Sequence, residues 1–335
     1  MAFLFIACSI NVKAQDIHFS QFYYSPFNQN PSLIGVFAGD QRFIGNYRSQ
    51  WNKVPVGYKT FSGSYDQRVH IKGVENSLIG LGGIINYDRA GDSKLQTANI
   101  GLGGSVTHQI AENHFLSGGL IATVSQRSFD LGGLYFNDQF NGEQYDPNRV
   151  SGEQAINKLN AKFYFDAALG INWHYQVPAK RRRLDFGFAL NHINQPKVNF
   201  YSNQDIKLYS RWNGFADFST RIAEKFDILV RASWQLQKKY NENLVGLGVK
   251  YYHNQGQYNE LGIQLGVAMR FNDFSDAIAP GIELHYQKWI VGFTYDINVS
   301  DFNIATSGRG GPELAIIHKI FKVKDLKEVR DCPIY

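Results

Sequence analysis

Titratable side chains recur inside stretches that are otherwise apolar, where they could pair with one another, carry ions or line a hydrated interior. They occupy every second position, so in an extended strand they share one face. In a soluble β protein this face would contact solvent, whereas in a membrane barrel it would line the lumen. We predict the following residues as lumen-facing and favour mutual charge pairing over a dedicated ion pathway: Asp166, His174, Asp185, Arg231, Arg270, Glu283, His285 and Asp296.

Catalytic and cofactor motifs are absent from the sequence. There is no Walker-type phosphate loop, no His-Glu-x-x-His, no Gly-x-Ser-x-Gly and no cysteine pair of metal-ligand spacing. A phospholipase barrel would need a Ser–His pair at its rim. Ser105 or Ser125 with His108 could be imagined, but this combination is not specific. We therefore predict no catalytic residue, no cofactor, no metal ion and no enzymatic activity.

Two charged stretches have a functional and a simpler interpretation. The acidic stretch 127–161 could supply Ca²⁺ ligands from Asp138, Asn141, Glu143 and Asp146, but the spacing is not that of an EF-hand, and a solvated loop is favoured. The basic run 180–183 follows Pro178 and is interpreted as a solvated turn. The formal net charge is only +5, with basic residues scattered among acidic ones, so we predict no nucleic-acid partner.

Period-two alternation is the main structural signal. Between 289 and 299, apolar residues alternate with Gly, Thr, Asp and Asn, and similar runs cover 163–175, 226–236 and 261–271. These runs reach the length of about nine to eleven residues that a tilted membrane strand needs. About fourteen candidate strands lie near 41–48, 58–67, 78–87, 97–108, 115–126, 162–175, 183–193, 205–221, 226–237, 243–252, 258–271, 277–287, 289–298 and 312–321. The sequence predicts an all-β, antiparallel, up-and-down transmembrane β-barrel.

The lengths of the connections predict an orientation. The long stretches 127–161, 194–204 and 299–311 fall at one end of such a barrel, and short turns such as 222–225 fall at the other. Long outside loops and short periplasmic turns are typical of outer-membrane barrels. This pattern predicts the cell outer membrane, contact with its lipid, and both chain ends in the periplasm.

The N-terminal stretch resembles a secretory signal peptide, with an apolar run at 2–10 and a small-x-small pattern that ends at Ala14. We predict residues 1–14 as the leader, 15–40 as a periplasmic or plug segment, 41–322 as the barrel and 323–335 as a periplasmic tail. Cys8 lies in the leader, so the mature chain would keep Cys332, which excludes a disulfide scaffold.

The segment 15–40 is polar and aromatic, and Pro26 and Pro31 break any regular element. Because so aromatic a segment is not expected to remain in water, we predict that it enters the lumen or covers its periplasmic mouth. The glycines at 80, 82, 83, 101, 103 and 104 fall in mid-strand, which favours close approach of neighbouring strands, bulges or the plug segment.

Five stretches form a recognisable set: 15–26, 30–35, 46–51, 62–66 and the closing Cys332-Pro333-Ile334-Tyr335. Together they resemble the PorP/SprF family of Bacteroidetes, although Ile334 stands in place of a common basic residue. These stretches provide the candidate partner or plug residues: His18, Phe19, Ser20, Gln21, Phe22, Pro26, Asn30, Pro31, Gly35, Asn46, Tyr47, Arg48, Gln50 and Trp51.

The resemblance implies an outer-membrane component of the type IX secretion and gliding machinery. It further implies a role in secretion or surface anchoring of large adhesin-like cargo, with the periplasmic ring of that machinery as a second partner. Two alternatives stay open on the residues alone. One is an outer-membrane pore or hydrophobic-substrate transporter similar to fatty-acid transporters, and the other is a soluble secreted β protein.

Overall fold

The computed structural model describes residues 16–50, 57–69, 76–91, 95–129, 136–146, 148–149, 151–152, 161–200, 206–255, 260–272, 277–299 and 308–321. The described residues form fourteen strands. They are β1 Gln41–Gln50, β2 Tyr58–Val69, β3 Ser77–Ala90, β4 Leu95–Ala111, β5 His114–Ser128, β6 Ala161–Val177, β7 Arg182–Asn191, β8 Arg211–Ala223, β9 Phe226–Gln237, β10 Tyr240–Asn254, β11 Leu261–Asn272, β12 Ala277–Tyr286, β13 Trp289–Asn298 and β14 Arg309–Ile320.

The fourteen strands close into an antiparallel up-and-down barrel. Each strand pairs with its neighbours in the chain, and β1 pairs with β14 from Gln41↔Ile320 to Arg48↔Glu313. The predicted fold class is therefore confirmed. The eighth strand begins at Arg211 rather than at 205, because Val198 N–H donates to Ile206 O and Leu208 N–H to Pro196 O within the preceding connection.

Apolar side chains alternate outward along the strands, and polar side chains alternate inward. In β13, Val291 and Phe293 are exposed on the outer surface, whereas Thr294 and Asp296 are buried inside. Leu102, Ile100 and Leu120 on neighbouring strands are each more than half exposed, and a contiguous apolar belt of this kind is expected where lipid surrounds the protein. Within the described residues, no helix has the length and hydropathy needed to cross a membrane.

Aromatic rings cluster near both ends of the outer surface. Trp173 stacks on His114, and Trp289 stacks on His318, near one end. Trp212 and Trp234 are exposed near the other end. Indole rings favour the membrane–water interface because they combine an apolar body with a polar N–H. The two groups therefore mark the two boundaries of the membrane.

The two ends of the barrel differ in their connections. One end, the loop end, carries the connections that follow β5, β7 and β13. The other, the turn end, carries the short connections at 112–113, 224–225 and 287–288. The chain enters β1 at the turn end, where Asp40 N–H donates to Ile320 O.

Residues 16–40, here called the luminal segment, cross the interior of the barrel before β1 begins. They contain a 3-10 turn at Phe22–Tyr24, the short helix α1 at Pro26–Gln29 and a second 3-10 turn at Pro31–Leu33. Pro26 and Pro31 each stand in the first turn of their helical element, where the missing amide N–H costs little.

The path of the luminal segment bears on the prediction that both chain ends lie on the same, periplasmic side of the membrane. Asp16 bonds to His192 and Gln237 at the loop end, whereas Phe321 directly follows β14 at the turn end. The described ends of the chain therefore lie at opposite mouths and not on one side. The reason is that the luminal segment runs the length of the lumen once before the first strand starts.

The leader at 1–14, Gln15 and Trp51 lie outside the described residues, as does the whole tail at 323–335 with Cys332.

Candidate functional site: the lumen and its N-terminal segment

Apolar side chains of the luminal segment form part of the protein core. Phe27 and Ile34 pack with Ile84, Ile121 and Ala168 of β3, β5 and β6 in one buried cluster. On the opposite side, Phe22 packs with Phe215 and Leu244. Each fully buried large apolar side chain contributes roughly 1.5–3 kcal/mol. These contacts make the segment an integral part of the fold.

One side of the lumen is lined by glycines against which the segment packs closely. A Cβ on Gly119 would collide with the backbone of Pro31 and Ser32, and one on Gly82 would lie 2.7 Å from Cζ of Phe27. We call this surface the glycine wall: Gly80, Gly82, Gly103, Gly119, Gly170 and Gly187. Of the mid-strand glycines noted in the sequence, Gly80, Gly82 and Gly103 therefore allow the luminal segment to approach. Gly101 instead faces Thr123 of the neighbouring strand.

Hydrogen bonds fix the segment on the glycine wall. The amide of Asn30 donates to the carbonyl oxygens of Ile171 (2.9 Å) and Phe188 (3.2 Å). The Oδ1 atom of Asn30 accepts from Ser32 N–H at 3.0 Å, which stabilises the second 3-10 turn. Gly35 has φ +75°, a left-handed conformation that favours glycine, and its N–H donates to Asp66 Oδ2 at 2.7 Å.

The other side of the lumen, which we call the charged wall, consists of Arg48, Arg270, Glu283, Asp296 and Glu313. Both carboxylate oxygens of Glu313 accept backbone N–H groups, from Ser20 at 2.8 Å and from Gln21 at 2.7 Å. The hydroxyl of Ser20 donates to Asp296 at 2.7 Å and contacts Arg270. Hydrogen bonds with an ionised partner are roughly twice as strong as neutral ones.

Arg48 of β1 joins the segment to the charged wall. Its Nη2 lies 2.6 Å from Asp296 Oδ2, and its Nε lies 3.7 Å from Glu313 Oε2. Its Nη1 also donates to the carbonyl oxygen of His18 at 2.7 Å. One buried guanidinium thus bridges two carboxylates and holds the start of the luminal segment.

A second cluster surrounds Glu283 nearer the turn end. Tyr23 donates to Glu283 at 2.8 Å, and Tyr24 contacts the other carboxylate oxygen. Arg231 lies 3.3 Å from Glu283 Oε1 and stacks over the Tyr23 ring at 3.4 Å. His285 Nε2 is 3.3 Å from Glu283 Oε2.

The start of the luminal segment is anchored at the loop end. His192, which follows β7, contacts Asp16 at 2.6 Å through Nε2 and Asp166 at 2.7 Å through Nδ1. Burial lowers the pKa of His192, but the carboxylates of Asp16 and Asp166 outweigh this effect and raise it to about 9. The imidazole is therefore charged at neutral pH and bridges two carboxylates.

His18 lies in a different environment. Its Nε2 lies 3.7 Å from Glu242 Oε2 of β10, and its ring faces the charged wall rather than the loop end.

Helix α1 stands between two cavities in the lumen. A cavity of about 120 Å³ at the loop end is lined by Phe27 and Asn28 of α1. A larger one of about 300 Å³ toward the turn end is lined by Pro26 and Gln29. The luminal segment therefore divides the interior of the barrel.

All eight residues predicted as lumen-facing have their side chains on the inner side. Several of them pair with one another. His174 Nδ1 lies 2.7 Å from Asp185, Arg270 pairs with Asp296, and Arg231 and His285 both contact Glu283. Among the predicted segment residues, Phe19 is buried and Asn46 donates to Tyr24 O at 2.8 Å. Tyr47 instead faces outward and is 43% exposed, while Gln50 is the last residue of β1.

Several residues that hold the segment were missed in the sequence. Glu313, Thr294, Glu242, Arg211 and Asn213 all face inward and contact the segment. The sequence contained part of the signal that could have found them, because each lies at an inward-facing position of the period-two alternation in its strand.

Two candidate chemistries lead to no site in the described part of the chain. His108 bonds to Ser77 at 2.7 Å on the exposed outer surface, rather than to Ser105 or Ser125. The oxygens of Asp138, Asn141 and Asp146 accept hydrogen bonds from Gly152, Glu143 and Asn148 of the same loop. Among the described residues, no group of three or more His, Cys, Asp or Glu could hold a metal ion.

A closed fourteen-stranded barrel with an apolar outer belt and a segment held inside its lumen defines an integral outer-membrane protein. The family described as type IX secretion system membrane protein PorP/SprF matches residues 11–309. The chain therefore belongs to the PorP/SprF family, as its N-terminal motifs indicated.

Solved structures resemble the chain at low sequence identity. The toluene transporter TodX of Pseudomonas putida is 8% identical, with 88% of this chain and 93% of that chain covered and a TM-score of 0.50. A Pseudomonas aeruginosa FadL homologue is 11% identical, with 87% and 92% covered and a TM-score of 0.49. BamA of Haemophilus ducreyi is 9% identical, with 84% and 69% covered and a TM-score of 0.42. No curated protein sequence matches the chain.

Proposed function

We propose that this protein is a plugged outer-membrane barrel of the type IX secretion and gliding machinery, which assists secretion or surface anchoring of large adhesin-like cargo. The observation that carries the proposal is the luminal segment. The stretch that most resembles the family lies inside the barrel, where it packs on the glycine wall and bonds to the charged wall. A lumen occupied in this way favours a scaffold for protein partners over an open pore.

The orientation of the barrel is part of the proposal. We place the loop end at the cell surface and the turn end in the periplasm, because long connections are typical of the outer face of such barrels. Cargo would then meet the connections that follow β5, β7 and β13, and ring components would meet the turn end.

Affinity purification from outer membranes tests the proposal. The tagged protein is extracted gently, and the proteins that remain bound are identified by mass spectrometry. We expect recovery of a large secreted surface protein or of components of the secretion ring. Recovery of the barrel without either partner under conditions that preserve other envelope complexes would contradict the proposal.

The second candidate function is transport of a hydrophobic substrate. It is favoured by a small, mostly apolar cavity of about 40 Å³ beside Phe22, lined by Gly246, Gly266 and Ala268 together with the charged Arg231 and Glu283. Uptake of radiolabelled toluene by intact cells, whose outer membrane hinders apolar solutes, would test it. Protein-dependent uptake, abolished by Ala268→Leu, would support transport, whereas uptake equal to that of cells lacking the protein would exclude it.

A further inference from the structure

The basic run 180–183 lies at the turn between β6 and β7, at the turn end, and its four side chains fall into two pairs. Arg181 and Arg183 form ion pairs with inward-facing aspartates of the barrel. Lys180 and Arg182 form no ion pair in the described part of the chain. Two of the four cations are therefore used by the fold, and two are left to meet the surroundings.

Arg181 ties three neighbouring connections of the turn end together. Its guanidinium donates to Asp227 at 2.9 Å and to the carbonyl oxygens of Ala223 and Glu224 at 3.2 and 2.9 Å. It also donates to Gln255 at 3.0 Å. Arg181 has φ +44°, a left-handed conformation that is uncommon for residues other than glycine, and these contacts stabilise it. The turns that follow β6, β8 and β10 thus form one fixed surface.

Arg182 lies on the outer side of the barrel, just beyond the aromatic boundary of the turn end. It pairs with Val177 in the register of β6 and β7, and its Nε donates to Thr220 at 3.4 Å. Tyr175, which belongs to the aromatic group at this end, is two residues from Val177, or about 7 Å along a strand. Ile222 on the next strand is 60% exposed on the same outer face. The guanidinium therefore lies at the level of the lipid head groups, beside apolar surface.

The adjoining turn between β8 and β9 adds Lys225 to this surface. Lys180 and Lys225 are exposed, and Arg182 is half-buried. We call these three residues the basic rim. Glu224 is the one acidic residue in the two turns, so the basic rim carries a net positive charge and attracts anions.

We propose that the basic rim binds the phosphate group of an anionic phospholipid in the leaflet that surrounds the turn end. Lysine and arginine form strong, charge-assisted hydrogen bonds with phosphate oxygens, and each basic residue near an anionic membrane surface adds to the attraction. Because Arg181 holds the turns in place before a lipid arrives, little further ordering is needed on binding.

The position of Arg182 favours a lipid over an acidic protein. Its side chain faces sideways into the membrane boundary, and Ile222 beside it offers apolar surface to an acyl chain. A soluble protein would have to displace lipid to reach the same guanidinium. The inference does not depend on the proposed role in secretion, because it uses only the charges and the membrane boundary at the turn end.

Native mass spectrometry of the full-length protein in amine-oxide detergent micelles tests the inference. The probes are dioleoyl phosphatidylglycerol, zwitterionic dioleoyl phosphatidylethanolamine and a hexaglutamate peptide. The rim variant combines Lys180→Gln with Arg182→Gln. The matched control combines Lys59→Gln with Arg89→Gln, a lysine and an arginine that pair across β2 and β3 at the loop end. A third variant, Glu224→Gln, removes the acidic residue beside the basic rim.

We expect the wild type and the control to bind phosphatidylglycerol equally, and the rim variant to bind it about tenfold more weakly. Glu224→Gln should bind it more tightly than the wild type, because one repulsive charge is gone. Phosphatidylethanolamine should bind the wild type more weakly than phosphatidylglycerol does. Heat-dependent gel mobility of each variant shows that the barrel is folded.

Three results would overturn the inference. The first is equal binding of phosphatidylglycerol by the wild type and the rim variant. The second is an equal loss of binding in the rim variant and the control, which would mean that any pair of surface cations suffices. The third is tighter binding of hexaglutamate than of phosphatidylglycerol with loss in the rim variant, which would assign the basic rim to an acidic protein.

Discussion

The two sides of the lumen hold the same segment by different physical means. The glycine wall excludes side chains so that the backbone of residues 30–35 lies directly against β3 to β7. In the charged wall, the long side chains of Arg48 and Glu313 form hydrogen bonds with the backbone of residues 18–21. Close packing depends on shape and tolerates no added volume, whereas the charged contacts depend on every partner being present. The two halves of the segment should therefore respond to different mutations.

The largest effect is expected on the charged wall from Arg48→Ala. This change leaves Asp296 and Glu313 with less compensation and frees the carbonyl oxygen of His18. Removing one partner of a buried ion pair costs about 3–5 kcal/mol. We expect a lower urea midpoint and faster proteolysis of the luminal segment.

Arg221→Ala, at the exposed end of β8, is the control for loss of an arginine. Equal stability of the Arg48 and Arg221 variants would show that the charged wall contributes little.

The glycine wall is tested by Gly119→Val. The added side chain would collide with the backbone of Pro31 and Ser32, which cannot move aside without displacing the segment. Overpacking of this kind costs about 1–3 kcal/mol. We expect the segment to leave the wall and the single-channel conductance in planar bilayers to rise.

Gly118 provides a matched control one residue away. A Cβ on Gly118 has no heavy atom within 4 Å, because this glycine faces outward. Gly118→Val should conduct as the wild type does. If the two valine variants conduct equally, the luminal segment is not what closes the lumen.

A smaller difference is expected between Asn30→Ala and Gln21→Ala. The first change removes both amide contacts to the carbonyl oxygens of Ile171 and Phe188. The second leaves the bond from the Gln21 backbone N–H to Glu313 in place. We expect Asn30→Ala to lower stability by about 1–3 kcal/mol and Gln21→Ala by less. Denaturant titration of both variants measures the order, and a reversed order would mean that the charged wall acts mainly through side chains.

The barrel could be predicted from the sequence because alternation is a local property. Each strand reports its own two faces within about ten residues, and Asp296 or Arg270 is placed inward by its immediate neighbours. The prolines at 26 and 31 were expected to break any regular element, whereas each begins a short helical element. Closing the sheet into a barrel needs no further sequence pattern, so the number of strands could also be predicted from alternation.

The contacts of the luminal segment could not be predicted in the same way. Ser20 and its acceptor Glu313 are 293 residues apart, and only barrel closure with a fixed register brings them together. The direction of the segment was missed for the same reason. Nothing local to Asp16 indicates that its partner is His192 at the loop end rather than a residue at the turn end.

The smallest effect concerns the anchor at the loop end, which belongs to neither wall. His192 faces Asp16 of the luminal segment and Asp166 of β6, and Arg211 of β8 approaches the same Asp16 carboxylate at 3.5 Å. The pKa of His192 is about 9 in the folded protein, above the ordinary histidine value of about 6.5. A raised pKa means that the contribution to stability is complete below pH 6.5 and is lost as the pH rises through about 9. The difference in urea midpoint between the wild type and His192→Gln should therefore shrink from pH 7 to pH 10, and the subtraction cancels the titration of other groups. A difference that stays constant over this range would mean that the anchor acts through hydrogen bonds alone and that the charge on His192 is not needed.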